Sequence, residues 1–410
     1  MKDSFDLHIS TNAVAGGVFN HALRSLAGFD ADVVERAQAV RDADPAFALG
    51  HCLFGYVMML AYSRAAVAPA ADALRAAERH AAGATSREQA HVRALASWIA
   101  GDIDGALRQW EAVLAQFPRD VLALRLAHAN YFWLGRGDDM RASLERVAPR
   151  WSESTPGFPG FLACFAFALE ESGEYPAAER YGRRAVELDP TEVWGAHAVA
   201  HVLEMQRRAD EGIAWLAGLE PHWTGKGAFL HHLWWHRAMF HLARREFDAV
   251  LDLYDRRFRN LSSPLVAALP DFHVDVQNAA SMLARLELRG VAVGARWEEL
   301  ADKAEARIGD VLSAWTVPHW MMALGATGRD ASARAMLANL RASDSALMRE
   351  VAAPVCEALL AHRRGHHGLV IALMAPVLGR LRELGGSHAQ RDVLVQIFSD
   401  SSRRAQRVAA

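Results

Sequence analysis

The stretch FLACFAFALEESGEYPAAERYGRRAVELDP, Phe161 to Pro190, decides the fold. Small Ala166 sits in a first apolar run, Gly173 breaks it, Ala178 and Ala185 punctuate a second run, and Pro190 ends that one. Small side chains let two helices approach closely, and proline lacks the N–H that would continue the second. Arg87 to Pro118 repeats the theme. Counted back from the closing proline, Ala94, Gly101 and Ala106 occupy the places of Ala166, Gly173 and Ala178, and only Val113 departs, standing where Ala185 would be.

A helix–turn–helix unit of about 34 residues with this punctuation is the tetratricopeptide pattern. Outward from the two clear copies the signatures loosen. Val121 to Pro149 is a shorter hairpin through Leu124, Tyr131 and Gly135, and further pairs of apolar-periodic runs cover 191–219, 226–257, 272–306, 311–342 and 348–384. Residues 12–28 and 30–80 read as helices in front of them, and 387–408 as a terminal helix whose charged Arg403, Arg404 and Arg407 suit a cap. No alternating run suggests a strand, and no low-complexity linker marks a boundary. The expectation is an all-α, tetratricopeptide-type superhelix, a solenoid of about ten hairpins forming one domain over 1–410.

Composition narrows the function. The chain has 410 residues and a formal net charge of -3, so it lacks the basic field that binds nucleic acid independently of sequence. The beginning of the chain has no uninterrupted apolar segment, and no later stretch reaches the roughly 18 uncharged apolar residues of a membrane span. Cys52, Cys164 and Cys356 stand apart in apolar helical surroundings, as small buried residues in a reducing compartment do. The expectation is a cytoplasmic protein with neither nucleic acid nor membrane as partner.

There are 19 histidines, unevenly placed. In TEVWGAHAVAHVLEM, steps of three and four put Trp194, His197, His201 and Glu204 on one helix face, at the first-helix positions that line the concave groove of such repeats. FLHHLWWHRAMF sets His232 and His236 four apart beside Trp235, and DFHVDVQNAASM adds His273 and Asp275. His319 with Trp320, and His128 with Tyr131, take comparable places in other hairpins. Stacked equivalent helices would gather these groups into a pocket.

Imidazole nitrogen and carboxylate oxygen suit zinc, iron or manganese, but the HExxH signature is missing. The same residues could instead transfer protons, since a histidine held by Glu204 or Asp275 is poised near neutral pH. They could also be hydrogen-bonded structural pairs, and all three readings stand. His231, His241, His362, His366 and His367 are expected on outer faces or in turns. The residues assign neither a cofactor nor a metal.

The runs DPAFALGHCL (44–53), SREQAHVRAL (86–95), LRLAHANYFWLG (124–135), WGAHAVAHVLEM (194–205), WWHRAM (234–239), SMLARLELRGVAVGARW (281–297) and LGGSHAQRDV (384–393) resemble the tetratricopeptide repeat protein 38 family. The resemblance extends from about Asp44 to Val393. The motif positions that match include His51, His91, Gln390, Arg391 and Asp392 beside the groove residues above, while Leu233, Trp234 and Arg237 depart. It implies a repeat fold and no established reaction.

Two functions are therefore expected as alternatives. In the first, a small-molecule pocket performs hydrolytic or lyase-type chemistry. His197, His201, His232 and His236 act as ligands or general acid and base, and Glu204 and Asp275 orient them. His128, Tyr131, Trp194, Trp235 and His319 contact substrate, and Arg391 anchors an anionic group. In the second, the groove is a non-catalytic scaffold for a peptide or partner protein. Oligomeric state is left open.

Overall fold

The computed structural model describes residues 1–409, with side chains as far as Arg407. The protein is all-α. Among the described residues there is no strand, and only two isolated bridges occur, Lys2 with His8 and Asp30 with Lys226. No helix is long and apolar enough to cross a membrane. All three cysteines are buried and free.

The deciding stretch forms two helices, Phe158–Glu171 and Tyr175–Leu188. Gly173 makes the turn between them at φ +80°, a left-handed conformation that costs a side-chain-bearing residue roughly 1–2 kcal/mol. Its counterpart pairs Ser86–Ile99 with Ile103–Gln116 across Gly101, at φ +82°. Local chemistry sets the helix starts. A capping box joins Thr85 and Glu88, and the Asp102 and Asp120 carboxylates accept from the backbone N–H groups of Gly105 and Ala123, each at 2.8 Å.

Contacts between Cα atoms divide the chain into two compact units. One comprises residues 1–132, 136–206 and 214–230, and the other 133–135, 207–213 and 231–410. In the first, the Phe158–Glu171 helix packs on Tyr175–Leu188 and on Val193–Met205, while Ala48–Met59 packs on Arg64–His80 and on Ser86–Ile99. In the second, His273–Glu287 packs on Arg296–Ala306 and on Thr316–Ala326, which continues to Ala353–Arg363. The first helix of one hairpin thus touches both its own partner and the first helix of the next. The terminal His388–Ala409 helix covers the His367–Met374 and His273–Glu287 helices.

Each unit also contains close contacts between distant segments. In the first, Arg87 is buried with Asp3 at 3.0 Å and Asp120 at 2.8 Å, and His91 Nε2 lies 3.2 Å from the same Asp120 carboxylate. Burial pushes the Asp120 pKa up, but His91 and Arg87 outweigh it and hold the carboxyl well below the usual range. In the second, Gly135 lies against the Arg382 carbonyl and Gly385 against that of Trp133, both at positive φ.

Gly135→Ala, whose methyl would overlap the Arg382 carbonyl oxygen, should destabilise by about 3 kcal/mol or more in chemical denaturation. Gly101→Ala, with open space around the added carbon, should cost only about 1 kcal/mol. Asp120→Asn should cost about 3 kcal/mol at neutral pH, because it leaves Arg87 and His91 without their shared carboxylate. Since the folded pKa of Asp120 is depressed, its stabilisation is complete above the unfolded value of about 4 and is lost as pH falls through the lower folded one. Melting curves of wild type and variant should therefore begin to approach each other as pH falls below about 4.

Candidate functional site

In the first unit the site is built on the Val193–Met205 helix. Glu192 starts it by accepting from the Trp194 N–H at 3.0 Å. Gly195 then lets it lie close to the preceding helix: a Cβ there would stand 3.1 Å from the Ala185 Cβ and 3.3 Å from the Gly182 carbonyl oxygen. That approach presses the opposite face, with His197 and His201, onto Phe158–Glu171. Phe167 stacks on His197 at 5.1 Å between ring centroids and meets His201 edge-on at 5.4 Å.

The two imidazoles are joined Nε2 to Nε2 at 2.9 Å, so one must donate and the other accept. His201 Nδ1 lies 3.6 Å from Glu170 Oε2, and both residues are fully buried. Donor atoms of Glu170, Glu171 and His201 all lie within 4.8 Å of one another, a set that could hold a metal ion. A carboxylate and two linked imidazoles in apolar surroundings can also pass a proton along the line Glu170–His201–His197.

His128 and Trp194 meet at this end of the first unit. The Trp194 indole N–H donates to His128 Nε2 at 3.1 Å, which puts the His128 proton on Nδ1. Burial, reinforced by Arg125, lowers the His128 pKa to about 3. Tyr131, one turn further along, donates instead to Glu111 at 3.0 Å. Glu204 is half-buried near the end of its helix, and the carboxylate set beside His201 is Glu170 from the neighbouring helix.

The second unit holds His232, His236, Asp275, Trp235, His319 and Arg391. His232 stacks on Trp235 at 5.2 Å and meets His236 edge-on at 4.7 Å. His232 Nδ1 lies 2.8 Å from the Asn278 Oδ1 acceptor, which leaves the lone pair on Nε2. His319 Nδ1 donates to the Trp315 carbonyl at 2.8 Å. Burial, with Arg285 adding to it, lowers the His236 pKa to about 3 and outweighs the Trp315 bond to take His319 to about 4. Arg391 donates to the Gly386 carbonyl and is half-buried.

The imidazole that Asp275 holds is His231, at 2.7 Å. This corrects the expectation of an outward-facing His231, which is 1% exposed. The reason is local: FLHHLWWHRAMF is apolar nearly all round, so consecutive residues of its helix are both enclosed. Burial raises the Asp275 pKa, with His231 and Arg259 opposing it. Glu170 and Glu171 are not among the residues that the sequence pattern singles out, and His231 is expected on an outer face or in a turn. The visible signals were a glutamate inside an otherwise apolar first helix and a helix with no polar face.

No protein-family model matches the chain.

His128, His236 and His319 should stay neutral across the physiological range. Their side-chain ¹⁵N shifts should not titrate between pH 5.5 and 8. Because each folded pKa is depressed, each contributes stability that is full above the unfolded value of about 6.5 and is lost as pH falls toward the folded one. In that window each should add a slope approaching about 1.4 kcal/mol per pH unit, read as falling melting temperature between pH 6.5 and 4.5.

Proposed function

We propose that this chain is a tetratricopeptide-type repeat protein, akin to the tetratricopeptide repeat protein 38 family, that binds a small molecule and acts on it by metal-assisted or acid–base chemistry. Helices in hairpins, with first helices touching from one hairpin to the next, support the repeat assignment. The observation that carries the chemistry is the enclosed Glu170–His201–His197 line with Glu171 beside it. Burying a carboxylate against imidazoles is costly unless they pair or bind a cation, and a groove that merely grips a peptide gains nothing from it.

Glu170, Glu171 and His201 would supply three ligands, the number found in catalytic zinc sites that keep a position for water. A divalent ion there would lower the pKa of a bound water to about 7 and so provide a hydrolytic nucleophile at neutral pH. His197, bonded to His201, would orient that ring as an outer partner does. With no metal, the linked His197–His201 pair serves as the base and Glu170 steadies the imidazolium.

Elemental analysis of untagged, desalted protein tests this. Close to one equivalent of zinc, iron or manganese is expected, and it should be lost in both His201→Ala and Glu170→Gln with helicity retained. A metal-free wild type whose melting point is unmoved by added zinc, iron or manganese would eliminate the metal branch and leave proton transfer. Recovery of one stoichiometric protein partner that depends on His197 and His201 would replace the small-molecule reading with the scaffold.

A further inference from the structure

Away from these histidines, the second unit has an open cleft of about 270 Å³, near the lower end of small-molecule sites. Its floor is apolar and mostly buried: Ala284, Leu288, Met322, Leu359 and Ile397. Its rim is polar, with His362, Arg363, His367, Arg404 and Glu287. The terminal helix contributes Asp400 and Ser401 just behind that rim. His362 and His367, expected on outer faces or in turns, are half-buried in the cleft wall.

The polar groups are ordered. Asp400, 10% exposed at its side chain, receives His362 Nε2 at 3.0 Å, Arg404 at 2.8 Å and Arg403 at 3.5 Å. A carboxylate only accepts, so His362 carries its proton on Nε2 and presents a lone pair at Nδ1. Burial pushes the His362 pKa down, and the hydrogen bond to Asp400 offsets this only in part, so the ring is neutral at pH 7. His367 Nδ1 lies 3.2 Å from the buried Ser401 hydroxyl, and Arg363 pairs with Glu287. The guanidinium groups of Arg363, Arg403 and Arg404 face the carboxylates of Glu287 and Asp400, which leaves one positive charge uncompensated.

We propose that this cleft binds a small hydroxycarboxylate with an apolar body. The body lies on Met322, Leu359 and Ile397, the carboxylate meets the Arg363 and Arg404 side of the rim, and the hydroxyl donates to His362 Nδ1. One surplus positive charge suits a monocarboxylate better than a phosphate dianion. The fixed acceptor at His362 distinguishes a hydroxy acid from the acid lacking that hydroxyl, because a ligand without it leaves a half-buried acceptor unmet.

Calorimetry at pH 7 with three probes tests the assignment: mandelate, phenylacetate and benzyl alcohol. Mandelate should bind, phenylacetate at least about fivefold more weakly, and benzyl alcohol more weakly again. Arg404→Gln, a change at an exposed side chain, should weaken both acids roughly tenfold. His362→Phe should erase the preference for mandelate over phenylacetate, and Met322→Trp should block all three by filling the floor. Circular dichroism and melting curves report whether each variant is folded. Absence of measurable binding by either acid overturns the proposal. So does mandelate binding that survives both Arg404→Gln and a folded Met322→Trp. Because none of these residues belongs to the Glu170–His201 group, failure here leaves that reading standing, and the converse holds too.

Discussion

The close approach of the Tyr175–Leu188 and Val193–Met205 helices is the constraint on which the first unit's chemistry depends. Gly182 and Gly195 meet across that contact, and a Cβ on Gly182 would stand only 2.7 Å from the Val199 Cγ2. The missing side chains fix how far the later helix is rolled. That roll delivers His197 and His201 onto Phe167 and Glu170. A larger residue at Gly182 would crowd the Val199 side chain and the Gly195 carbonyl, and one at Gly195 the Ala185 Cβ and the Gly182 carbonyl, so either would press apart the two helices that set the imidazoles.

A second constraint follows from putting so many imidazoles inside. Each buried ring nitrogen needs a partner, and the partner chosen decides which nitrogen keeps its lone pair. In the second unit His231 faces Asp275, His232 faces Asn278 and His319 faces the Trp315 carbonyl, all through Nδ1. A ring that donates through Nδ1 and carries a single proton has its lone pair on Nε2. Outer-shell oxygens prepare histidines for metal ligation or proton acceptance in this way. Trp194 makes the opposite arrangement at His128, where Nε2 is already taken by the indole.

The hairpins were legible in the sequence because helical periodicity and left-handed glycines are local signals. Gly101, Gly173 and Gly328 each mark a turn at positive φ. Placement of the site was legible only in outline. The shared face of His197 and His201 follows from a spacing of four, but Glu170 comes from another helix, just before a turn, where a glutamate ordinarily faces water. The partner of Asp275 was also hidden, since a helix enclosed on every side gives no periodicity from which to choose between His231 and His232. Arg391 reads as an anchor for an anion, yet the chain bends so that the Gly386 carbonyl receives its guanidinium.

The bonds between distant segments change how such a chain melts. A stack of repeats held only by its neighbours can fray from one end, each repeat adding its own increment. Here Lys226 reaches Asp30 across 196 residues of sequence, and Arg87 reaches Asp3 across 84. Within the first unit no terminal hairpin can peel away without breaking an ion pair whose other half lies far along the chain. Those pairs tie the opening of the unit's first segment to that of its last, which a stack held only by neighbouring repeats does not do.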